Sequence, residues 1–180
     1  NAAPMAVEQI PANGSIRLSS FNLTLSANYF TQLTERLSGN LKIEITAEAE
    51  PIFCQTYPID ILAYDQWGGL KVLPEMLAAF ITPNHTAISP IIKKAASILG
   101  QWTGNPSLDE YQSRTPDRVR KQMAAIYTAI AEQQIIYSTV PASFEEYGQR
   151  VRLADSVMAQ KLGTCLDMAL LYASCLEAIG

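Results

Sequence analysis

The chain has 180 residues, of which 48% are hydrophobic and 17% charged, with a net charge of −4 and a pI near 5.0. These proportions support a buried core and exclude a chain that is disordered throughout. The acidic balance, with no basic group denser than Lys93-Lys94 or the spaced Arg114, Arg118, Arg120 and Lys121, excludes a nucleic-acid-gripping surface in this segment.

Residues 1–14 carry two prolines and small side chains and are expected to form a flexible leader. An antiparallel β region is expected over 15–69. Residues 16–25 alternate as a strand whose phase slips at Ser19-Ser20. Residues 26–39 place Tyr29, Phe30, Leu33 and Leu37 at helical spacing. Leu41, Ile43, Ile45 and Ala47 alternate with Lys42, Glu44, Thr46 and Glu48, which predicts a strand with one dry and one wet face. Two further strands are expected over 52–56 and 59–64, the second opening at Pro58. Together these make an antiparallel sheet of three to five strands.

At residues 65–69, Asp-Gln-Trp-Gly-Gly, period-2 patterning gives way to helical spacing. Trp67 is expected to plug that junction. A helical region follows over 70–180. Helices are predicted over 74–81 and 90–101, and over 116–137 as the longest. A short helix opens at Ser143 with Glu146 as its capping box, and another is capped by Asp155, with Gly163 just past its end.

The last helix begins at residue 164. Thr164 is the expected N-cap, Asp167 completes a capping-box pair, and Cys165 takes the first helical position. Unsatisfied N–H groups and the positive end of the helix dipole favour negative charge there. The remainder of this helix is apolar nearly all round, which predicts a helix enclosed by other elements. A nucleophilic role for Cys165 stands against its use as a small buried hydrophobe. Cys175 and Cys54 are expected to be packing residues.

His85, the one histidine, lies in the polar loop Pro83-Asn84-His85-Thr86 and is expected to be a surface or capping residue. One histidine and three scattered cysteines lack the spacing of a metal site, and no glycine-rich phosphate loop occurs, so no metal and no cofactor are expected. The neutral amide of Gln149 could donate to an oxyanion or tie down a loop. No apolar run reaches the ~20 residues of a membrane span. The odd number of cysteines fits a reducing, cytoplasmic setting.

The run Lys161-Leu162-Gly163-Thr164-Cys165-Leu166-Asp167, with Ala169-Leu170-Leu171 and Leu176-Glu177-Ala178-Ile179-Gly180, resembles the nucleophile helix of transglutaminase-like, papain-type cysteine enzymes. Leu62-Ala63-Tyr64-Asp65-Gln66-Trp67-Gly68-Gly69, Pro74-Glu75-Met76-Leu77-Ala78-Ala79-Phe80 and Pro83-Asn84-His85 are similar to one bacterial family of unknown function. So are Ala142-Ser143-Phe144-Glu145 and Gly148-Gln149-Arg150-Val151-Arg152. In that family this region is the N-terminal part of very large proteins with helicase-like and nuclease-like segments further on.

The resemblance implies an α+β fold: a small antiparallel β-sheet region followed by a helical region ending in a transglutaminase-like nucleophile helix. It makes residues 70–180 a partial transglutaminase-like core. In the superfamily the order is Cys, His, Asp; here His85 precedes Cys165, so the histidine and aspartate strands are expected beyond Gly180. The chain then reads as an N-terminal fragment carrying the nucleophile half of a thiol acyl-transfer or hydrolase module, inactive by itself. Its partners would be a protein or peptide substrate and other domains of the same parent chain, with no nucleic acid and no membrane. The alternative is a non-catalytic scaffold or interaction module attached to helicase-like and nuclease-like domains.

Overall fold

A computed structural model of the chain describes residues 4–7, 10–18, 26–108, 115–140 and 144–180. The chain divides into two compact units, Asn1–Tyr64 and Asp65–Gly180. Helices and a small antiparallel sheet are both present, so the fold class is α+β, as the residue patterns predict.

In the first unit, a short helix α1 (Ala27–Thr31) precedes a long hairpin of β1 (Leu37–Ala47) and β2 (Glu50–Ile61). The turn residues Glu48 and Ala49 have φ of 52° and 69°. Two successive left-handed residues give a turn whose twist matches that of the flanking strands. Among the described residues the sheet has two strands, not three to five. The pieces expected over 52–56 and 59–64 are one strand, because Pro58 sits opposite Asn40 without ending the pairing. Residues 16–18 carry no regular structure, and the rest of the strand predicted over 16–25 lies outside the described residues. Leu33 is buried, and its carbonyl accepts the Tyr64 N–H at 3.0 Å, closing the base of the hairpin. An Arg36–Asp60 ion pair lies nearby; the guanidinium holds the Asp60 carboxyl below its ordinary range.

The second unit opens with β3 (Gln66–Trp67) and a 3₁₀ helix over Pro74–Phe80. Two long helices follow, α2 (Ile88–Thr103) and α3 (Pro116–Ala131). Ile88, Ile91, Ala95, Ile98 and Leu99 of α2 interlock with Ala125, Ile126, Ala129 and Ile130 of α3. Gly104 (φ 76°) ends α2 in the left-handed conformation. Arg118 straps the two helices together: its guanidinium donates to Thr103 Oγ1 and to the carbonyls of Asn105 and Ser107, at 2.7–2.9 Å.

α3 stops at Ala131, six residues short of the predicted Tyr137. Gln134 turns left-handed (φ 56°), and Ile136-Tyr137 then form β4 (Ile136–Tyr137). Bulky and β-branched side chains favour that extended path. The remaining elements are α4 (Phe144–Tyr147), β5 (Gln149–Arg150), α5 (Ala154–Gln160), β6 (Leu162–Gly163) and α6 (Cys165–Glu177). Ser143 of the predicted capping box lies outside the described residues. β3 pairs with β5 antiparallel, and β4 with β6 parallel. Lys161 (φ 53°), not Gly163, takes the left-handed position after α5, because Gly163 is already committed to the β4 pairing.

α6 joins two apolar clusters. Leu171 and Cys175 enter the α2–α3 core together with Ala154 and Val157. Leu170, with Leu166 beside it, packs against Trp67, Phe80 and Val151. Among the described residues, no helix is long and apolar enough to cross a membrane.

Candidate functional site at the start of α6

The first turn of α6 is fixed by a complete capping box. Thr164 Oγ1 accepts the Asp167 N–H at 3.2 Å, and Asp167 Oδ2 accepts the Thr164 N–H at 2.9 Å. The same carboxylate reaches across to Arg152, just past β5. Its Oδ1 accepts the Arg152 N–H at 2.9 Å, and its Oδ2 faces Arg152 Nη1 at 3.2 Å. Asp167 is buried, so a charge that would be costly alone is stabilised by two backbone N–H donors and the Arg152 guanidinium. Residue 163 is held from the other side, where its carbonyl accepts the Ser138 N–H at 2.8 Å.

Cys165 therefore sits where the sequence puts it, at the first helical position, and it is exposed. Among the described residues, the backbone N–H groups of Cys165 and Leu166 are left without acceptors, as in any first helical turn. α6 is not the enclosed helix its composition predicts: Cys165, Ala169 and Glu177 all reach solvent, so it is a core helix with one open side. Cys175 behaves as a packing residue, 0% exposed, with burial pushing its thiol up to about 12. Cys54 does not pack; it is exposed on the hairpin, opposite Glu44.

Gln149 is the partner of Trp67 in the β3–β5 ladder. The approach of these strands is unusually close. A Cβ on Gly148 (φ 77°) would lie 2.0 Å from the Trp67 carbonyl oxygen, and one on Gly69 (φ 86°) would lie 2.6 Å from that of Glu146. Asp65 staples the crossing, its carbonyl accepting Val151 N–H at 2.7 Å and its carboxylate pairing with Arg150 at 3.1 Å.

Trp67 is 4% exposed and packs inside the second unit against Phe80, Val151 and Leu170, and Gln149 is 9% exposed. Among the described residues, Trp67 Nε1 and both polar atoms of the Gln149 amide have no hydrogen-bond partner. Each such group forfeits about 1–3 kcal/mol of solvation. Two unpartnered buried donors in facing ladder positions therefore ask for a reason. No hydrogen bond joins Gln149 to Cys165; they are linked through Arg152, Asp167 and the apolar cluster of Trp67, Val151, Leu166 and Leu170.

His85 is placed elsewhere. Its Nδ1 accepts the Ala87 N–H at 3.2 Å, closing a local turn just before α2 without capping the helix itself. The loop that carries it is anchored where Thr82 N–H donates to Ser174 Oγ at 3.0 Å. Ser174 lies nine residues up α6 from Cys165, about 13 Å along the axis at ~1.5 Å per residue. Glu146 forms a surface ion pair with Lys71 at 2.7 Å. Among the described residues there is no cluster of three or more side chains able to hold a metal ion.

Sequence reasoning did not find the Trp67 indole N–H, the Arg152–Asp167 link or Ser174. Each owes its role to a partner at least fifteen positions away or, for Trp67, to lacking one. Compared with known proteins, the chain matches no family model, no curated protein and no solved structure.

Proposed function

We propose that Cys165 is the nucleophile of a transglutaminase-like, papain-type thiol module working in the bacterial cytoplasm as part of a larger multidomain protein. The observation that carries this reading is an exposed thiol on the first residue of a helix whose opening turn is fixed by a buried, fully engaged carboxylate. A thiol in the body of the same helix is sealed instead.

In this reading the Cys165 sulfur attacks the carbonyl carbon of a carboxamide or peptide. The C–N bond breaks, the nitrogen leaves as ammonia or an amine carrying the proton, and a thioester remains. Water or a second amine then cleaves the thioester and restores the thiol. The developing oxyanion needs donors, and the Gln149 amide together with the Trp67 indole N–H would supply them after a local shift that opens them to substrate. The resemblance assigns the base to a histidine after the cysteine, a role His85 does not fill because its Nδ1 is engaged at α2. In this reading the described residues would contribute the nucleophile and oxyanion donors but no base, and unaided turnover would be slow.

The test is alkylation of a Cys54→Ser variant and a Cys165→Ser variant by a glutamine-mimetic peptide chloromethyl ketone. Cys165 should react about tenfold faster than the likewise exposed Cys54, and Trp67→Phe or Gln149→Ala should remove that advantage. Equal rates at the two thiols would overturn the reading.

A scaffold or interaction module is the second reading. It is favoured by the burial of both Gln149 polar atoms and by the engagement of the one histidine elsewhere.

A further inference from the structure

The β1–β2 hairpin divides its two faces and its two edges unequally. Leu41, Ile43, Ile45, Phe53, Tyr57 and Ile59 are exposed and lie on one face. Lys42, Glu44 and Cys54 lie on the other. A lone two-stranded ribbon is marginal in water and needs further strands or a covering layer.

The edges can be told apart from the register. Asn40 is opposite Pro58, and Thr46 is opposite Pro51. Proline has no N–H to exchange, so these are the non-hydrogen-bonded pairs of the ladder. The two-residue turn agrees, since it makes Ala47–Glu50 a hydrogen-bonded pair. It follows that Pro51 and Pro58 remove donors from the outer edge of β2, and the bulge at Ile52 distorts it further. The outer edge of β1 has no such defence. Ser38, Asn40, Lys42 and Glu44 turn their backbone N–H and C=O groups outward there, with no strand on that side among the described residues.

We propose that this edge pairs with the same edge of a second copy of the chain, antiparallel about a two-fold axis at Ile43. The result is a four-stranded sheet in the order β2, β1, β1, β2. The register is selected by charge. Centring the axis on Ile43 sets Lys42 of each copy opposite Glu44 of the other, twice. Centring on Lys42 or on Glu44 would set like charges face to face, which destabilises a sheet. Centring on Leu41 sets both charges opposite neutral side chains. On the apolar face the Ile43 register places Leu41 against Ile45 of the second copy and Ile43 against Ile43. Residues 39–47 of each copy overlap. The contact is self-complementary and closed, as a two-fold interface requires, and the proline-blunted β2 edges stop further growth.

The experiment is sedimentation of the full chain over about 1–100 μM, with Lys42→Glu, Glu44→Lys, the double swap, and an equimolar mixture of the two single variants. The wild-type chain and the double swap should dimerise alike. Each single variant should dimerise about tenfold more weakly. The mixture should regain the wild-type constant, because a chain with glutamate at both positions then faces one with lysine at both; this also shows that both variants are folded. Ile43→Cys in a Cys54→Ser, Cys165→Ser background should form a disulfide-linked dimer on oxidation. A wild-type monomer throughout, a dimer indifferent to the charge changes, or a mixture that does not recover would overturn the proposal.

Discussion

Arg152 meets Asp167 twice, once through its backbone N–H at 2.9 Å and once through its guanidinium at 3.2 Å. One buried carboxylate thereby caps α6 and ties residues 149–152 to the turn that carries Cys165. Asp167→Ala would strip the acceptor from two backbone N–H groups and from a guanidinium that is 30% exposed, at a cost of about 2–4 kcal/mol. Asp167→Asn would cost less, because its amide oxygen can still accept one of them. Urea unfolding followed by tryptophan fluorescence checks this, since Trp67 and Trp102 both report on the second unit.

Gly148 and Gly104 have nearly the same positive φ, 77° and 76°, but different surroundings. A Cβ at 104 would meet nothing within 4 Å, whereas one at 148 would strike the Trp67 carbonyl. Gly104→Ala should therefore cost only its backbone strain, about 1–2 kcal/mol. Gly148→Ala must also push the two strands apart, adding about 1–3 kcal/mol or more. Thermal melts rank the two variants, and near-UV circular dichroism should show the Trp67 signal lost in the second alone.

The thiols predict both a labelling pattern and a pH dependence. Cys54 and Cys165 should react promptly with a thiol reagent in the folded protein, and Cys175 only after unfolding. Burial raises the Cys175 thiol from 9.0 to about 12. The unfolded chain then releases this proton at lower pH than the folded one. Its contribution is fully present below about pH 9 and falls away as pH rises towards 12, at ~1.4 kcal/mol per pH unit within that window. Tyr172, also shifted upward, by burial first and by Cys175 second, acts in the same sense. Denaturation midpoints from about pH 8 to 11 should decline less in Cys175→Val.

Ser174 Oγ accepts the Thr82 N–H and donates to the Leu170 carbonyl at 2.7 Å. Ser174→Ala would leave the Thr82 N–H unpartnered, costing about 1–3 kcal/mol. Amide exchange should quicken over residues 82–88 and stay unchanged at the start of α6.

The capping box was legible because Thr164 and Asp167 are neighbours in one helical turn, and a local pattern needs no knowledge of the rest of the chain. What lies across from it was not: nothing in Arg152 itself shows that a carboxylate fifteen positions later will claim it. Cys54 shows a second limit. Its apolar neighbours Ile52 and Phe53 suggest a buried run, but both faces of the hairpin are exposed at this point, and the bulge at Ile52 sets Cys54 on the polar one with Glu44. Pro58 misled in the same way. Proline suggests a strand boundary, yet the missing N–H of Pro58 faces outward, where the ladder has no use for one. For α3, apolar spacing ran on through Ile135 and Ile136, and only the pairing with Leu162 shows where the helix gives way.

The staple between Asp65 and Arg150 joins positions 85 apart in the chain. On a ribosome adding ~5–20 residues per second, Trp67 would emerge roughly 4–17 s before the strand that receives it. The α2–α3 pair can form meanwhile from neighbouring sequence, so the indole and its two glycines wait as a bare apolar loop. The nascent chain would be most open to chaperones or to mispairing in that interval.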